Sequence, residues 1–244
     1  MTSPSKSARL AKYGPWALVT GASAGIGEEF ARQLAAEGFN LVLTARRKHR
    51  LIALAKNLES RFNIKTRIVV VDLIEPGALD AIHALTRDIV VGLLINNAGV
   101  ENHGPFVTQD LVSETKLLQL NIVTPMQLAH HFARQMQQRG RGGILFVSSV
   151  GGYGAWPYLA NYAASKAYLL TLGESLHYEL AKQGVDVTVL SPGLTDTAMA
   201  DNIGSNVDLS RFPMRTMQPQ KVVRKGLKSL GKKPSVIPGI WNNV

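Results

Sequence analysis

The chain has 244 residues, 45% of them apolar, which is enough for one sizeable core, and α/β domains of this length commonly remain undivided. The absence of cysteine excludes disulfides, thiolate metal sites and cysteine nucleophiles. A formal net charge of +10 points toward nucleic acid, a membrane surface or an acidic partner only if the charge is gathered on one face.

In chain order, residues 1–13 read as a flexible segment, with Lys6, Arg9 and Lys12 among serines and no apolar block of a secretory kind. No run approaches the length of a transmembrane helix, so the expectation is a cytoplasmic protein with no integral membrane segment. Trp16 to Thr20 reads as a short buried strand running into Gly21-Ala22-Ser23-Ala24-Gly25-Ile26-Gly27 and then a helical pattern. Glycines at such a turn let the backbone approach a pyrophosphate, and the helix N-terminus offers free N–H groups. Ile26, Phe30 and Leu34 recur every four residues and give that helix an apolar stripe to lay on a sheet. The spacing is GxxxGxG rather than GxGxxG, and a glycine turn alone is equally compatible with a plain turn.

Asn40 to Thr44 forms the next strand, and it ends in Ala45-Arg46-Arg47. Enzymes that use NAD place an acidic residue here to hold ribose hydroxyls, where it would repel a 2′-phosphate. Two guanidinium groups suit a phosphate dianion, which favours NADP(H), with Arg46 as the main partner and Arg47 or Ser23 assisting. The plainer alternative is the start of a basic, solvated helix with Lys48 and Arg50.

Further strands are expected at Thr66 to Val71, Gly92 to Asn96, Gly143 to Ser148, Asp186 to Ser191 and Ser235 to Ile237. Several are continuous apolar runs, as expected where helices cover both faces of a parallel sheet. Alternation with helical segments gives an α/β fold: a Rossmann-like, doubly wound parallel sheet of about seven strands in a single domain over 1–244. Residues 200–219 are interrupted by Gly204, Ser205, Asn206, Pro213 and Pro219 and read as irregular. Near the C-terminus Lys221, Arg224, Lys225, Lys228, Lys232 and Lys233 accompany Val222, Val223, Leu227 and Leu230, the pattern of an amphipathic helix with a solvated basic face. No nucleic-acid module is visible.

Within this frame Tyr162 and Lys166 lie four residues apart on a helical pattern and share a face. A phenol titrates near pH 10, and a nearby ammonium stabilises the phenolate and lowers that value. His130 and His131 cannot both present their rings on one helix face, and no Cys/His or His/carboxylate cluster completes a metal site, so no metal is expected. His103 stands near the expected substrate mouth, with a surface histidine as the plainer alternative.

The glycine turn and the Tyr162/Lys166 pair occur with Asn96-Asn97-Ala98-Gly99, Asn121, Ser149 thirteen residues before Tyr162, and Ser191-Pro192-Gly193 followed by Thr197. Taken together, these motifs closely resemble the short-chain dehydrogenase/reductase family over residues 14 to 240. The resemblance implies hydride transfer between a nicotinamide and a carbonyl or alcohol, with Tyr162 as acid or base, Ser149 on the substrate oxygen, and Lys166 on the ribose hydroxyls. It places Gly21, Ser23, Gly25, Ile26 and Gly27 at the pyrophosphate, Asp72 and Leu73 at the adenine, Asn97, Ala98 and Gly99 along the cofactor, and Pro192, Gly193, Thr195 and Thr197 at the nicotinamide end. Asp72 could also simply cap the next turn, and Asn96 is assigned to tying neighbouring strands. Ala24 departs from the basic residue that many NADP-using relatives carry just before Gly25. The resemblance also implies a substrate lid over 198–219 and a homodimer or homotetramer. Pro125 lacks an N–H for the carbonyl of Asn121, and the family pattern implies that this carbonyl holds a water against Lys166; a kink that merely follows the sheet is the alternative. Tyr153, Trp156, Tyr158, Leu194, Met199, Phe212 and Met214 would give an aromatic, apolar pocket, hence a lipophilic ketone or secondary alcohol. The alternatives are a 3-oxoacyl thioester reductase, for which the basic C-terminal helix would dock an acidic carrier, and an NADP-sensing regulator.

Overall fold

The computed structural model describes residues 7–197 and 216–239. Seven runs rich in β-branched and aliphatic residues pair as parallel strands: β1 (Trp16–Thr20), β2 (Asn40–Ala45), β3 (Thr66–Val70), β4 (Val91–Asn96), β5 (Gly142–Val147), β6 (Val185–Leu190) and β7 (Ser235–Val236). They form one sheet in the order β3-β2-β1-β4-β5-β6-β7. Each differs by no more than a residue at either end from the span read in the sequence, because continuous apolar runs are what a doubly covered sheet requires. The order reverses between β1 and β4, and the crevice at that switch point is where folds of this kind bind ligands.

Alternate side chains divide between two cores. Leu18, Val42, Leu94, Ile144 and Val187 meet Ile82, Leu128, Phe132 and Leu169 on one face. These come from α4 (Ala78–Thr86), α6 (Thr124–Gln138) and α7 (Ala160–Ala181). Val19, Leu41, Leu43, Ile95 and Leu145 meet Phe30, Leu34, Leu51, Leu58 and Val222 on the other. Here the cover is α2 (Gly25–Ala36), α3 (Lys48–Phe62) and α8 (Pro219–Ser229). A Cβ on Gly173 would stand 2.3 Å from Val189 Cγ2, so the bare backbone there lets α7 approach the sheet and sets the height of its Tyr162 and Lys166.

One expectation is modified, a second lies mostly outside the described residues, and the expected bend at Asn121 takes a specific form. Residues 8–13, expected to be flexible, form a helix, α1 (Ala8–Tyr13), with Ser7 Oγ accepting from Leu10 N at 3.1 Å. Arg9 pairs with Glu37 and donates to Leu227 O at 2.9 Å, while buried Tyr13 hydrogen-bonds Asp186. Polar composition suggested a free tail, and contacts distant in sequence hold it instead. Of the lid assigned to 198–219, residues 198–215 lie outside the described residues, as do Met199, Phe212 and Met214. Met217 pairs with the backbone of Leu194 and Asp196, both at 2.9 Å, and Pro219 opens α8. The long helix around Asn121 is divided: α5 (Leu111–Leu118) ends, Gln119–Val123 is a π-helical turn, and α6 follows with Pro125 in its first turn. Thr124 N donates to Gln119 O, five residues back, which relieves the register conflict that Pro125 imposes.

Candidate active site

Ser149 leaves the C-terminal end of β5 in an extended conformation, and its Oγ accepts from Gly151 N at 3.1 Å. The same hydroxyl lies close enough to the Tyr162 phenol to favour its ionised form. Lys166, one helical turn further on, is only 5% exposed; its Nζ stands 5.6 Å from the Tyr162 ring centroid and donates to Val147 O at 3.2 Å. Neighbouring Ser148 is committed elsewhere, donating to Lys166 O at 2.7 Å. Of the two adjacent serines, therefore, Ser149 is the one beside the phenol.

Asn121 is fully buried and joins this centre to the loop after β4. Its Nδ2 donates to Val100 O at 2.8 Å and Ser165 Oγ at 3.0 Å, and its Oδ1 accepts from Val100 N at 2.9 Å. A Cβ on Gly99 would lie 3.1 Å from Asn121 Oδ1 and 3.3 Å from Lys166 Nζ, so glycine is what permits the loop to pass between them.

Burial governs the protonation of the pair. It pushes the Tyr162 phenol up to about 12, with Glu101 adding to the rise and the Ser149 hydroxyl opposing it. It lowers Lys166 to about 8, with the Glu101 carboxylate acting in the other direction. Desolvation, rather than the Lys166 ammonium, is the largest influence on the phenol, and it opposes the lowering expected from the Tyr162/Lys166 spacing. Glu101 itself is pushed up to about 7 by burial, against the pull of Lys166.

The turn between β1 and α2 forms a glycine-lined cradle. Gly21 and Gly25 have φ of 67° and 56°, and a Cβ on Gly27 would lie 2.3 Å from Gly21 O. Thr197 reaches over the turn, since a Cβ on Gly25 would meet its Cγ2 at 3.0 Å. Asn97 Nδ2 donates to Thr20 O at 2.9 Å, and the N–H groups of Asn97 and Ala98 both reach Thr20 Oγ1 at 2.9 Å. Thus the loop after β4 is stitched to the end of β1. Ile26 packs its partly buried side chain on the core below.

At the adenosine end Arg47, not Arg46, converges on the turn: its Nε and Nη2 donate to Ser23 Oγ at 3.1 and 3.0 Å. Partial burial and the charges of Arg50 and Arg46 lower its pKa. Arg46 is largely exposed and meets Asp72 Oδ2 at 3.4 Å. Asp72 Oδ1 also accepts from Ile74 N at 3.4 Å, and Leu73 O accepts from Thr124 Oγ1 at 3.1 Å. On the nicotinamide side Pro192 O accepts from Val150 N at 2.9 Å, Thr195 Oγ1 donates to Gly193 O at 3.0 Å, and Thr197 Oγ1 donates to Thr195 O at 3.3 Å. Asn96, expected to tie strands, instead joins β4 to α6 by donating to Pro125 O at 3.1 Å.

The rim carries Tyr153 and Tyr158, both exposed, and Tyr158 O accepts from Gly104 N at 2.9 Å. His103 Nε2 is buried without a hydrogen-bond partner among the described residues, and burial lowers its pKa. Two features escaped the motif reading. Glu101 is the lone charged residue between Asp88 and Asp110, a signal that no family motif includes. His131, set aside with its neighbour, stacks on His83 across α4 and α6 at a centroid distance of 3.6 Å.

The short chain dehydrogenase family model matches residues 15–208. A 7beta-hydroxysteroid dehydrogenase of Clostridium sardiniense is 33% identical, over 95% of this chain and 88% of its own length. A very-long-chain 3-oxoacyl-CoA reductase of Meyerozyma guilliermondii is 34% identical, over 91% of this chain and 67% of its own. Among solved structures, a short-chain dehydrogenase from Sphingobium yanoikuyae in complex with NADPH superposes with a TM-score of 0.85 at 32% identity, covering 95% of this chain and 89% of that one. With the family match spanning most of the sequence and the motif residues gathered at one crevice, the chain belongs to the short-chain dehydrogenase family.

Proposed function

We propose that the protein is an NADP(H)-dependent oxidoreductase that interconverts a lipophilic ketone and a secondary alcohol. The observation that carries this reading is the Tyr162 phenol close to Ser149, with Lys166 Nζ 5.6 Å from its ring centroid, beside a glycine cradle that any Cβ at Gly27 would fill. A nicotinamide cofactor bound along that cradle supplies or accepts the hydride. Tyr162, held neutral by burial, gives its proton to the carbonyl oxygen as negative charge develops there, and Ser149 donates a hydrogen bond to the same oxygen. Lys166 would hold the ribose hydroxyls, and Pro192, Gly193, Thr195 and Thr197 would line the nicotinamide end. A half-buried, protonated phenol is the acid that reduction needs.

The preference for NADP(H) is supported by Arg47 and Ser23 meeting at the end of β2, with Arg46 and Arg50 close enough to depress the Arg47 pKa. A phosphate dianion there would relieve that repulsion. A relative solved with NADPH and a relative named as a hydroxysteroid dehydrogenase agree with the cofactor and with a bulky substrate. Self-association as a homodimer or homotetramer belongs to the same proposal, with exposed Met126 on α6 and Tyr168 and Tyr178 on α7 as the surface it would cover.

A second reading, reduction of a 3-oxoacyl thioester, is favoured by the oxoacyl-CoA reductase among the relatives. Oxidation of NADPH against bulky cyclic ketones and 3-oxoacyl thioesters separates the two. The proposal expects turnover of the ketones. Turnover confined to thioesters would transfer the protein to the second reading, and tight NADPH binding with no turnover of either class would contradict both and leave an NADP-sensing regulator.

A further inference from the structure

Glu101 follows Val100, whose N–H and carbonyl are both clamped by Asn121, at 2.9 and 2.8 Å. On its other side Asn102 Nδ2 donates to Ser113 Oγ at 3.1 Å and Glu114 Oε1 at 2.8 Å, and Gly104 N donates to Tyr158 O at 2.9 Å. The backbone is thus anchored before and after this residue, and the side chain occupies a built position. Its carboxyl lies within electrostatic range of both Tyr162 and Lys166. Yet Lys166 Nζ donates to Val147 O rather than to Glu101, and Glu101 Oε1 is buried with no hydrogen-bond partner among the described residues. An unpartnered buried acceptor costs stability, and a carboxylate more than most. The fold places that cost beside the reacting centre.

The reacting oxygen is served by two donors, Tyr162 and Ser149. Once ionised, above about pH 7, Glu101 is an acceptor and the wrong partner for an oxygen that gains negative charge, so the carboxylate serves a different group. We propose that Glu101 is a specificity-determining residue whose carboxyl accepts a hydrogen bond from a second donor on the substrate, a hydroxyl or a protonated amine, distinct from the reacting oxygen. This rests on the proposed ketone and alcohol chemistry.

The test compares decalone, hydroxydecalone and aminodecalone as substrates with NADPH, in the wild type, E101Q and E101L, together with the melting temperature of each protein at about pH 8. In E101L the ratio of kcat/KM for hydroxydecalone to that for decalone should fall on the order of tenfold, chiefly through KM. E101Q keeps an acceptor oxygen, so it should retain most of the hydroxydecalone ratio; a larger loss with aminodecalone identifies an ammonium as the better donor. The melting temperature of E101L should equal or exceed that of the wild type. Ratios that do not change in E101L overturn the proposal, because any effect exerted through Tyr162 or Lys166 cancels in them. A lower melting temperature for E101L also overturns it, by showing that the carboxyl has a structural partner. If the wild type reduces none of the three ketones, the proposed function fails, and the melting comparison still decides whether Glu101 is an orphan kept for a ligand.

Discussion

At Arg47 two neighbouring guanidinium groups of identical sequence character are separated by geometry alone. β2 ends at Ala45 and α3 begins at Lys48, so the two arginines occupy a short turn and leave it in different directions. Arg47 reaches back to Ser23 in the glycine turn; Arg46 meets Asp72 at 3.4 Å in solvent, an ion pair of the kind that contributes little. The strand end suggested NADP(H) and favoured Arg46, since spacing along a strand end says nothing about which side chain turns toward the crevice. Arg47→Ala should reduce the preference for NADPH over NADH by roughly tenfold or more, and Arg46→Ala by less. Dissociation constants of both cofactors for the two variants check this, and the opposite ranking would return the role to Arg46. The adjacent serines behave the same way: thirteen residues to Tyr162 selected Ser149, and the structure supplies the reason, with Ser148 tied to the backbone of α7.

Between elements, the contact of α4 with α6 was invisible in the sequence because its two histidines lie far apart along the chain. The His83 and His131 rings stack within 14° of parallel, and Phe132 presents its edge to both. Burial lowers both pKa values, and the charges of His83, His130 and Arg134 lower that of His131 further. A histidine whose folded pKa is depressed contributes stability that is present above its unfolded value, about 6.5, and lost as pH falls through the folded one. The melting temperature of the wild type should therefore drop between about pH 7 and pH 5, and that of His131→Phe, which keeps an aromatic ring without the charge, should drop less over the same range. Parallel melting curves for the two proteins would contradict this. Other elements were legible to different degrees. The strands were read closely because their apolar runs are continuous. Pro125 announced a break in the helical pattern, but not that the turn before it is π-helical, with Asn121 inside it bonded to Val100 and Ser165. For α1, the pairing of Arg9 with Glu37 and of Tyr13 with Asp186 leaves no periodic trace.

For the whole molecule, one reversal of strand order brings the ends of β1, β4, β5 and β6 to a single crevice. The glycine turn arrives from β1, the Asn97-Ala98-Gly99 loop from β4, Ser149 from β5, and the Pro192-Gly193 segment from β6, while α7 brings Tyr162 and Lys166 across the open side. Family motifs marked most of these positions in advance: four follow the carboxyl ends of strands, and the Tyr162 and Lys166 pair lies on α7. Glu101 lay outside them, since an orphaned carboxylate is defined by what surrounds it. The described helices include none long and apolar enough to cross a membrane. The central claim is that this crevice reduces a ketone through the Tyr162 proton. Its most direct test is ketone-dependent NADPH oxidation by Tyr162→Phe, in protein shown by fluorescence to bind NADPH. The account predicts binding close to that of the wild type, because the ring still packs on α7, with turnover lower by roughly 10²- to 10⁴-fold. Turnover at the wild-type rate would contradict it.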